Sequence, residues 1–263
     1  MFEELHKIYS FIKRDIFSWS SYKLNILLII ISTVFGALAY AFLSVNAQMQ
    51  IVTQKYNMSL LSYLIIGLAF STYINQSLNV VQKASSPWWL EEVLVSPTRL
   101  ITFIVGSAAW GLIWNTIAVL IYLGIGIGFF GLTLNINILG TLLIVALGIS
   151  SCIGFSMIGA GVLIIVKQGD PISWLVQIFT ELFGNVLFPP EVMPYPLHLI
   201  SYLLPQYYFF KCIRLTLIGY SIASFLQDFI ILVLLTAILL PIGYKIYAWC
   251  LHRAKKEGTL SWF

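Results

Sequence analysis

The sequence predicts an all-α membrane protein with six transmembrane helices. Hydrophobic residues make up 60% of the 263-residue chain and charged residues only 9%, whereas roughly a quarter of the residues in a soluble domain are charged. Apolar runs long enough to cross a hydrocarbon core of about 30 Å, which takes about 20 helical residues, recur along the whole chain. The predicted spans lie near 24–45, 58–82, 100–130, 138–166, 172–188 and 225–250. The third and fourth exceed what a bilayer requires, so we expect them to tilt or to extend beyond it.

An amphipathic helix precedes the first span, within residues 1–23. Its apolar residues recur at helical spacing, and they are Leu5, Ile8, Tyr9, Ile12, Ile16 and Trp19. Such a helix lies in the membrane interface, with its basic residues at the headgroups. It either serves only as an anchor or also contacts a partner. No short apolar core follows a basic start here, so we expect this segment to be retained and not removed as a signal peptide.

Lysine and arginine residues predict the orientation, because cytoplasmic loops carry an excess of them. With six spans, one side carries eleven basic residues: Lys7, Lys13, Arg14, Lys23, Lys83, Arg99, Lys167, Lys245, Arg253, Lys255 and Lys256. The other side carries Lys55, Lys211 and Arg214. Both termini are therefore predicted to be cytoplasmic. The net charge of +4 is a topology signal and gives no indication of nucleic-acid binding.

We predict a single transmembrane domain over residues 1–263, because no repeat or soluble insertion of domain size occurs. The three cysteines, Cys152, Cys212 and Cys250, are far apart in the sequence. Their spacing predicts neither a metal site nor a disulfide framework. Small residues four apart, Gly124 with Gly128 and Ser150 with Gly154, favour close helix packing within the bundle.

A short helix is predicted over residues 86–96, between the second and third spans. Ser86 suits an N-cap and Pro87 the first helical position, while Pro97 disfavours helical geometry at Ser96. One face of this helix presents its carboxylates to the cytoplasm, and the opposite face is apolar. Such a helix of about nine residues, roughly 13 Å long, either seats in a groove of a partner or lies in the interface as an anchor.

Prolines break the chain after the fifth span, within residues 189–214. Five of them cannot be accommodated in one continuous helix: Pro189, Pro190, Pro194, Pro196 and Pro205. We expect short re-entrant helices here, since irregular backbone at membrane depth requires protein or water around it. The alternative is an ordinary interfacial loop anchored by Tyr195, Tyr202, Tyr207 and Tyr208.

Polar side chains occur inside three predicted spans. Glu181 lies in the fifth span, with Gln177 and Asn185 four residues to either side on the same predicted helix face. A carboxylate there is costly and marks a candidate functional site. Further amides are Asn75 and Asn79 in the second span and Asn115 in the third. These six residues either line a transport pathway or form hydrogen bonds between helices.

Two stretches resemble the ABC-2 type transporter permeases. In the first, the residues that resemble the family pattern L-E-x-L-L-x-S-P-x-S-R between the second and third spans are Leu90, Glu91, Leu94, Ser96, Pro97 and Arg99. Trp88 and Trp89 stand where the family usually has Gly and Thr. The resemblance implies that this stretch, including Glu92, couples the permease to an ATPase subunit.

The second stretch lies in the proline-rich region and resembles the family pattern F-P-x-x-x-L-P followed by Y-L-x-P-x-x-Y and an arginine. The matching residues are Phe188, Pro189, Pro194, Tyr202, Leu203, Pro205, Tyr208 and Arg214. Asn185 stands three residues before Phe188, where the family usually has Gly. Met193 stands where the family usually has the Leu of this pattern. The resemblance implies that these residues, apart from Leu203, form a gate on the side opposite the cytoplasm.

These observations predict a permease and not an enzyme. No phosphate-binding loop of the type G-x-x-x-x-G-K-[ST] occurs in the chain, so ATP and Mg²⁺ are expected on a separate ABC ATPase. The resemblance implies a dimer with a second copy or a close relative, in the cell membrane, that exports an amphipathic drug-like or lipid-like substrate. The alternatives are a permease for lipid-linked polysaccharide and an ion-coupled secondary transporter that uses Glu181.

Overall fold

The computed structural model describes residues 2–21, 23–46, 52, 58–84, 100–166 and 170–256. The helices are α1 (Phe2–Ser21), α2 (Lys23–Asn46), α3 (Leu60–Ala84), α4 (Leu100–Phe130), α5 (Ile138–Val166), α6 (Asp170–Phe183), α7 (His198–Ser201), α8 (Pro205–Leu217) and α9 (Leu226–Lys256). Short 3₁₀ helices cover Pro190–Val192 and Ile222–Phe225. These ranges contain no β-strand, which confirms the all-α class.

Four segments of the described chain are long and apolar enough to cross a membrane: Leu60–Val81, Ala108–Phe130, Ile138–Ile165 and Ile222–Ala254. A shorter apolar segment covers Leu27–Ala39. The protein is therefore a multi-pass membrane protein, while the count of six spans stays a prediction. The expected excess length of the third and fourth spans is confirmed, since α4 has 31 residues and α5 has 29.

The fifth predicted span is shorter than expected. Helix α6 has 14 residues and ends at Phe183, whereas the sequence predicts a span over 172–188. At 1.5 Å per residue the helix is about 21 Å long, less than a hydrocarbon core of about 30 Å. The chain therefore leaves helical geometry before the first proline, and the reason lies in the turn that follows Phe183.

Helix α3 forms the centre of the bundle. Within the apolar segment of α3, 72% of the most apolar stretch is buried inside the protein, compared with 17% of the corresponding stretch of α9. Helices α2, α4, α5 and α8 all contact it. Its completely buried side chains include Ile65, Ile66 and Ile74, which belong to the largest apolar cluster. Of the four apolar segments, that of α3 is the least apolar, and in a membrane the helix that carries polar side chains is buried among the others, where those side chains find hydrogen-bond partners.

Helices α5 and α9 approach each other closely at a pair of glycines. A Cβ atom on Gly243 would lie 2.1 Å from the carbonyl oxygen of Gly154, and one on Gly154 would lie 2.8 Å from the backbone of Leu239. The packing role expected for Gly154 is thus confirmed. For Gly124 and Gly128 it is wrong, because both are exposed and nothing lies within 4 Å of a Cβ at either.

Helix α8 runs antiparallel to α5 and lies beside it. A Cβ on Gly140, early in α5, would contact Thr216 near the end of α8. Further along α5, the ring of Phe209 from the first half of α8 fills the space beside Gly148. The backbone N–H of Asn137, just before α5, donates to the carbonyl of Thr216. The first turn of α8 therefore lies alongside the middle of α5, well away from the loop at 131–137.

Helix α1 packs on the first part of α4. Gly106 leaves room for the ring of Phe11, which a Cβ at that position would meet at 2.7 Å. Tyr9, Ile16 and Phe17 remain exposed on other parts of α1. The predicted amphipathic helix therefore packs one apolar side chain, that of Phe11, against α4 and leaves other apolar side chains exposed.

Candidate functional site: the buried turn after α6

A tight turn at residues 184–186 ends helix α6. The N–H of Gly184 donates to the carbonyl of Thr180 at 2.8 Å, and a Cβ at Gly184 would lie 2.2 Å from that same oxygen. Asn185 then adopts a φ of 66°, a left-handed conformation that asparagine tolerates better than most residues. Asn185 therefore does not share the helix face of Gln177 and Glu181, and the predicted alignment of the three residues is wrong.

Arg214 of α8 fixes this turn. Its side chain is completely buried, and one terminal nitrogen donates to the carbonyl of Asn185 at 2.7 Å while the other donates to that of Val186 at 2.8 Å. Longer bonds of 3.3 Å and 3.4 Å reach the carbonyls of Tyr63 and Phe210. Backbone carbonyls thus solvate a buried cation and join α3, the turn and α8 into one unit.

The ring of Tyr63 completes the surroundings of Arg214. The guanidinium carbon lies 3.6 Å from the centre of that ring, a cation–π contact that is strongest when water is excluded. The hydroxyl of Tyr63 donates to Oδ1 of Asn185. One turn along α3, a Cβ on Gly67 would lie 2.3 Å from the carbonyl oxygen of Val186 and 2.7 Å from Arg214 Nη2. Gly67 is therefore required for the approach.

Several buried polar groups beside the turn lack a hydrogen-bond partner among the described residues. They are Nδ2 of Asn185, Oγ of Ser201 and both side-chain polar atoms of Gln206, and all three residues are completely buried. Gln206 lies next to the turn, because a Cβ at Gly184 would be 3.1 Å from the Cβ of Gln206. Buried polar atoms are satisfied in most proteins, so this region has hydrogen-bonding capacity that the turn itself does not use.

Glu181 and Gln177 form a separate polar pair in the second half of α6. Nε2 of Gln177 donates to Oε1 of Glu181 at 3.1 Å. Both side chains are partly buried. The expected proximity of these two residues is confirmed.

The remaining predicted gate residues differ in their exposure. Pro189, Pro205 and Tyr208 are buried, Phe188 is partly buried, and Pro194 and Tyr202 are exposed. The hydroxyl of Tyr208 donates to the carbonyl of Tyr202 at 3.0 Å. Ring contacts with centroid separations of 5.0–5.9 Å connect Tyr195, His198, Tyr202, Tyr207 and Tyr208 in series.

An ion pair connects α8 to α9 near the same region. Nζ of Lys211 lies 2.8 Å from a carboxylate oxygen of Asp228, and both side chains are largely shielded from solvent. Lys211 also lies 5.8 Å from the centre of the Tyr207 ring. This contact holds the start of α9 against α8 one turn away from Arg214.

The polar residues of α3 and α4 mainly connect those two helices. Nδ2 of Asn115 donates to the carbonyl of Thr72 at 3.1 Å, and the hydroxyl of Tyr73 donates to Oγ1 of Thr116 at 2.8 Å. Oδ1 of Asn75 is buried without a partner among the described residues, and Asn79 is partly buried. For Asn115 the structure thus shows a hydrogen bond between helices.

The predicted coupling residues lie outside the described residues. They are Trp88, Trp89, Leu90, Glu91, Glu92, Leu94, Ser96, Pro97 and Arg99. Helices α3 and α4 end and begin on either side of them, at Ala84 and Leu100. The helix predicted over 86–96 therefore stays a prediction.

Sequence reasoning did not identify Tyr63, Gly67 or Gln206. Tyr63 and Gly67 are four residues apart and therefore share one face of α3, but nothing in the sequence connects that face to Arg214. The available signal was the arginine itself, because a guanidinium in a membrane bundle requires several acceptors. Unpaired atoms of Gln206 become visible only once its surroundings are known.

The family model for the ABC-2 type transporter matches residues 6–218. This range contains most of α1, the segment between α3 and α4, the turn after α6, and Arg214 with its hydrogen-bond partners. The chain belongs to the ABC-2 type transporter family. No curated relative matches it. As an ABC-2 membrane protein it is a permease of an ABC transporter and not itself the catalytic subunit.

Proposed function

We propose that this ABC-2 permease belongs to an ATP-driven exporter that moves an amphipathic, drug-like or lipid-like substrate out of the cytoplasm. The observation that carries the proposal is the family match over residues 6–218, because it includes both the predicted coupling segment and the turn held by Arg214. ATP and Mg²⁺ bind to a separate ABC ATPase. The permease pairs with a second copy or a close relative in the cell membrane, with both termini in the cytoplasm.

Helix α1 and the start of α4 form the ATPase-facing part in this proposal. Phe11 packs at Gly106, and α4 begins at Leu100, directly after the coupling segment 86–96. Force applied to that segment is therefore transmitted to α4 and α1 together. Helix α4 also contacts α3, the central helix, so movement of α4 reaches the core of the bundle.

The gate on the opposite side consists of residues 188–214, and α8 is its re-entrant helix. The first turn of α8 lies alongside the middle of α5, and eleven of the thirteen residues of α8 are buried. Because Arg214 holds α3, the turn and α8 together, the gate opens by movement of this unit and not by separation within it. The exposed residues Pro194 and Tyr202 line its movable edge.

Among the predicted pathway residues, Gln177 and Glu181 have the strongest support. Asn115 and Asn185 already use side-chain atoms in bonds to Thr72 and Tyr63. Asn75 and Asn79 lie on the most buried helix. Among the described residues, Glu181 has in contrast one hydrogen-bond partner, the neutral amide of Gln177 on its own helix, which leaves carboxylate capacity for a substrate.

The decisive experiment is co-purification of the tagged protein from its native membrane, followed by an ATPase assay. We expect an ABC ATPase to co-purify with the wild type and to be lost when residues 86–96 are deleted. The charge reversals Glu91→Lys and Glu92→Lys together should abolish stimulation of the ATPase, whereas Glu257→Lys serves as a control outside the coupling segment. Purification without any ATPase would contradict the proposal.

A second candidate function is ion-coupled transport, and the isolated carboxylate of Glu181 favours it. Proteoliposomes that contain this chain alone, with an imposed proton or sodium gradient and no ATP, would test it. Substrate movement under these conditions, abolished by Glu181→Gln, would support a secondary transporter. Transport of a lipid-linked polysaccharide would instead identify the polysaccharide branch of the family.

A further inference from the structure

The last three turns of α9 present basic side chains on one face of the helix. Lys245, Arg253 and Lys256 are exposed, and Trp249 between them is 58% exposed. At 3.6 residues per turn, these four positions fall within an arc of about 80°. The opposite face packs against the bundle, since Tyr247 is completely buried there. The basic side chains therefore lie on the outer surface of the bundle.

The same face of α9 continues as a row of apolar side chains. Leu234, Ile238 and Ile242 follow one another at four-residue spacing and are between 45% and 55% exposed. Along the helix, Asp228 and Trp249 are about 31 Å apart, close to the thickness of a hydrocarbon core of about 30 Å. Tryptophan is enriched at the level of the lipid headgroups. The apolar row therefore lies at the depth of the acyl chains, and the basic residues lie near the headgroups.

The described protein does not balance the positive charge on this face. The second half of α9 contains no acidic residue, and the next one, Glu257, lies outside the described residues. Lys245 and Lys256 form no ion pair with another described residue. The guanidinium carbon of Arg253 lies 5.7 Å from the centre of the Trp249 ring. The helix dipole attracts cations only in the last turn, so it does not account for Lys245, eleven residues before the end of α9.

We propose that α9 binds an anionic phospholipid along this face, with the headgroup at the basic residues and the acyl chains against the apolar row. Juxtamembrane lysine and arginine residues attract anionic headgroups. The long apolar stem of Lys245 allows its ammonium group to reach the headgroup level from within the apolar part of the face. A soluble anion or an acidic protein surface would contact the charges but would leave Ile238 and Ile242 uncovered. Such lipid binding requires neither an ATPase nor the exported substrate.

The test compares two lipids with the same acyl chains, the anionic dioleoylphosphatidylglycerol and the zwitterionic dioleoylphosphatidylcholine. Each is added to the purified protein in a neutral detergent, and native mass spectrometry counts the bound lipids. We expect the wild type to bind the phosphatidylglycerol about tenfold more tightly or better. The triple variant Lys245→Gln, Arg253→Gln and Lys256→Gln should lose this preference, because each basic residue near the headgroups contributes about fivefold.

Single variants distinguish a site on α9 from general attraction by the net charge. Lys245→Gln should lower the affinity for the phosphatidylglycerol about fivefold, whereas Lys245→Arg keeps the charge and should retain the affinity. Lys13→Gln also removes one exposed charge, but from α1, and should bind this lipid as the wild type does. Unchanged thermal unfolding of the triple variant in detergent alone excludes a folding defect as the cause of weaker binding.

Three results would overturn the inference: equal binding of the two lipids by the wild type, an unchanged preference in the triple variant, or equal losses in Lys13→Gln and Lys245→Gln. Two further results would assign the basic residues to another partner and would also overturn it. Displacement of the bound lipid by glycerol 3-phosphate would indicate a site for a soluble phosphate. Loss of a co-purifying ATPase from the triple variant, with unchanged lipid binding, would indicate a protein contact.

Discussion

Arg214 and Glu181 are two charged side chains in apolar parts of this permease, and the protein surrounds them differently. Arg214 is completely buried and donates to the carbonyls of four residues, with the ring of Tyr63 against its guanidinium. Glu181 is partly buried and receives, among the described residues, one hydrogen bond, from a neutral amide one turn away. Glu181 precedes the turn at the end of α6 by three residues, and Arg214 donates to the carbonyls of that turn.

Under the proposed function, this difference separates a structural charge, that of Arg214, from a candidate functional group, the carboxyl of Glu181. A buried ion whose hydrogen-bonding capacity is fully used cannot bind anything else without losing those contacts, so Arg214 contributes to folding and to the rigidity of the turn. A carboxylate that retains its capacity is available to a ligand. A substitution of Arg214 should therefore lower the stability of the protein, whereas a substitution of Glu181 should impair transport. The expected loss of stability decreases from the first variant below to the last.

Arg214→Leu should have the largest effect. It leaves the carbonyls of Asn185 and Val186 buried without donors, and loss of one partner in a buried ionic network costs about 3–5 kcal/mol. Thermal unfolding in detergent, or the folded yield after extraction, measures the loss. Arg253→Leu is the matched control, since Arg253 is exposed and lies over Trp249. Equal stability of the two variants would contradict a structural role for Arg214.

Gly67→Ala should have the next largest effect. The added methyl group meets the carbonyl oxygen of Val186 at 2.3 Å and Arg214 Nη2 at 2.7 Å, and neither atom moves freely. Overpacking of this kind costs about 1–3 kcal/mol. Gly124→Ala adds the same group where nothing lies within 4 Å and should cause no loss of thermal stability. A stable Gly67→Ala protein would show that α3 and the turn can separate.

Tyr63→Phe should have a smaller effect, because the ring remains against Arg214. The substitution removes the hydroxyl that donates to Oδ1 of Asn185 and leaves this buried acceptor without its donor, so we expect a cost of about 1–2 kcal/mol. Tyr73→Phe removes a similar hydroxyl, but its partner Thr116 also bonds to the carbonyl of Leu112. A smaller shift of the unfolding temperature for Tyr73→Phe than for Tyr63→Phe would support this account.

The sequence was sufficient to predict the elements of this site but not the contacts between them. Apolar runs predicted α3, α4, α5 and α9, because a membrane requires helices of that length. The prolines predicted a break after α6, yet the break begins at Gly184, where packing against Gln206 and a turn at Asn185 end the helix first. Helix propensity depends on the local sequence and therefore does not predict this effect of tertiary packing.

Residues with identical local patterns also had different environments. Gly154 packs against α9, whereas Gly124 and Gly128, at the same four-residue spacing, face away from the bundle. Spacing defines a helix face, but it does not show whether another helix covers that face. For the same reason three of the four acceptor residues of Arg214 could not be predicted, since their backbone carbonyls come from segments 28 to 151 residues away in sequence.

Glu181→Gln should have the smallest effect on stability and is the sharpest test of the comparison. The substitution removes a charge that no described side chain neutralises and keeps an amide that can still accept from Gln177. Because the carboxylate lies in the last turn of α6, its removal also relieves repulsion from the helix end, worth about 0.3–1 kcal/mol. We therefore expect thermal unfolding at the same temperature as the wild type or slightly above it, together with impaired substrate transport. A loss of stability comparable to that of Arg214→Leu would instead assign Glu181 to the structural core of the turn.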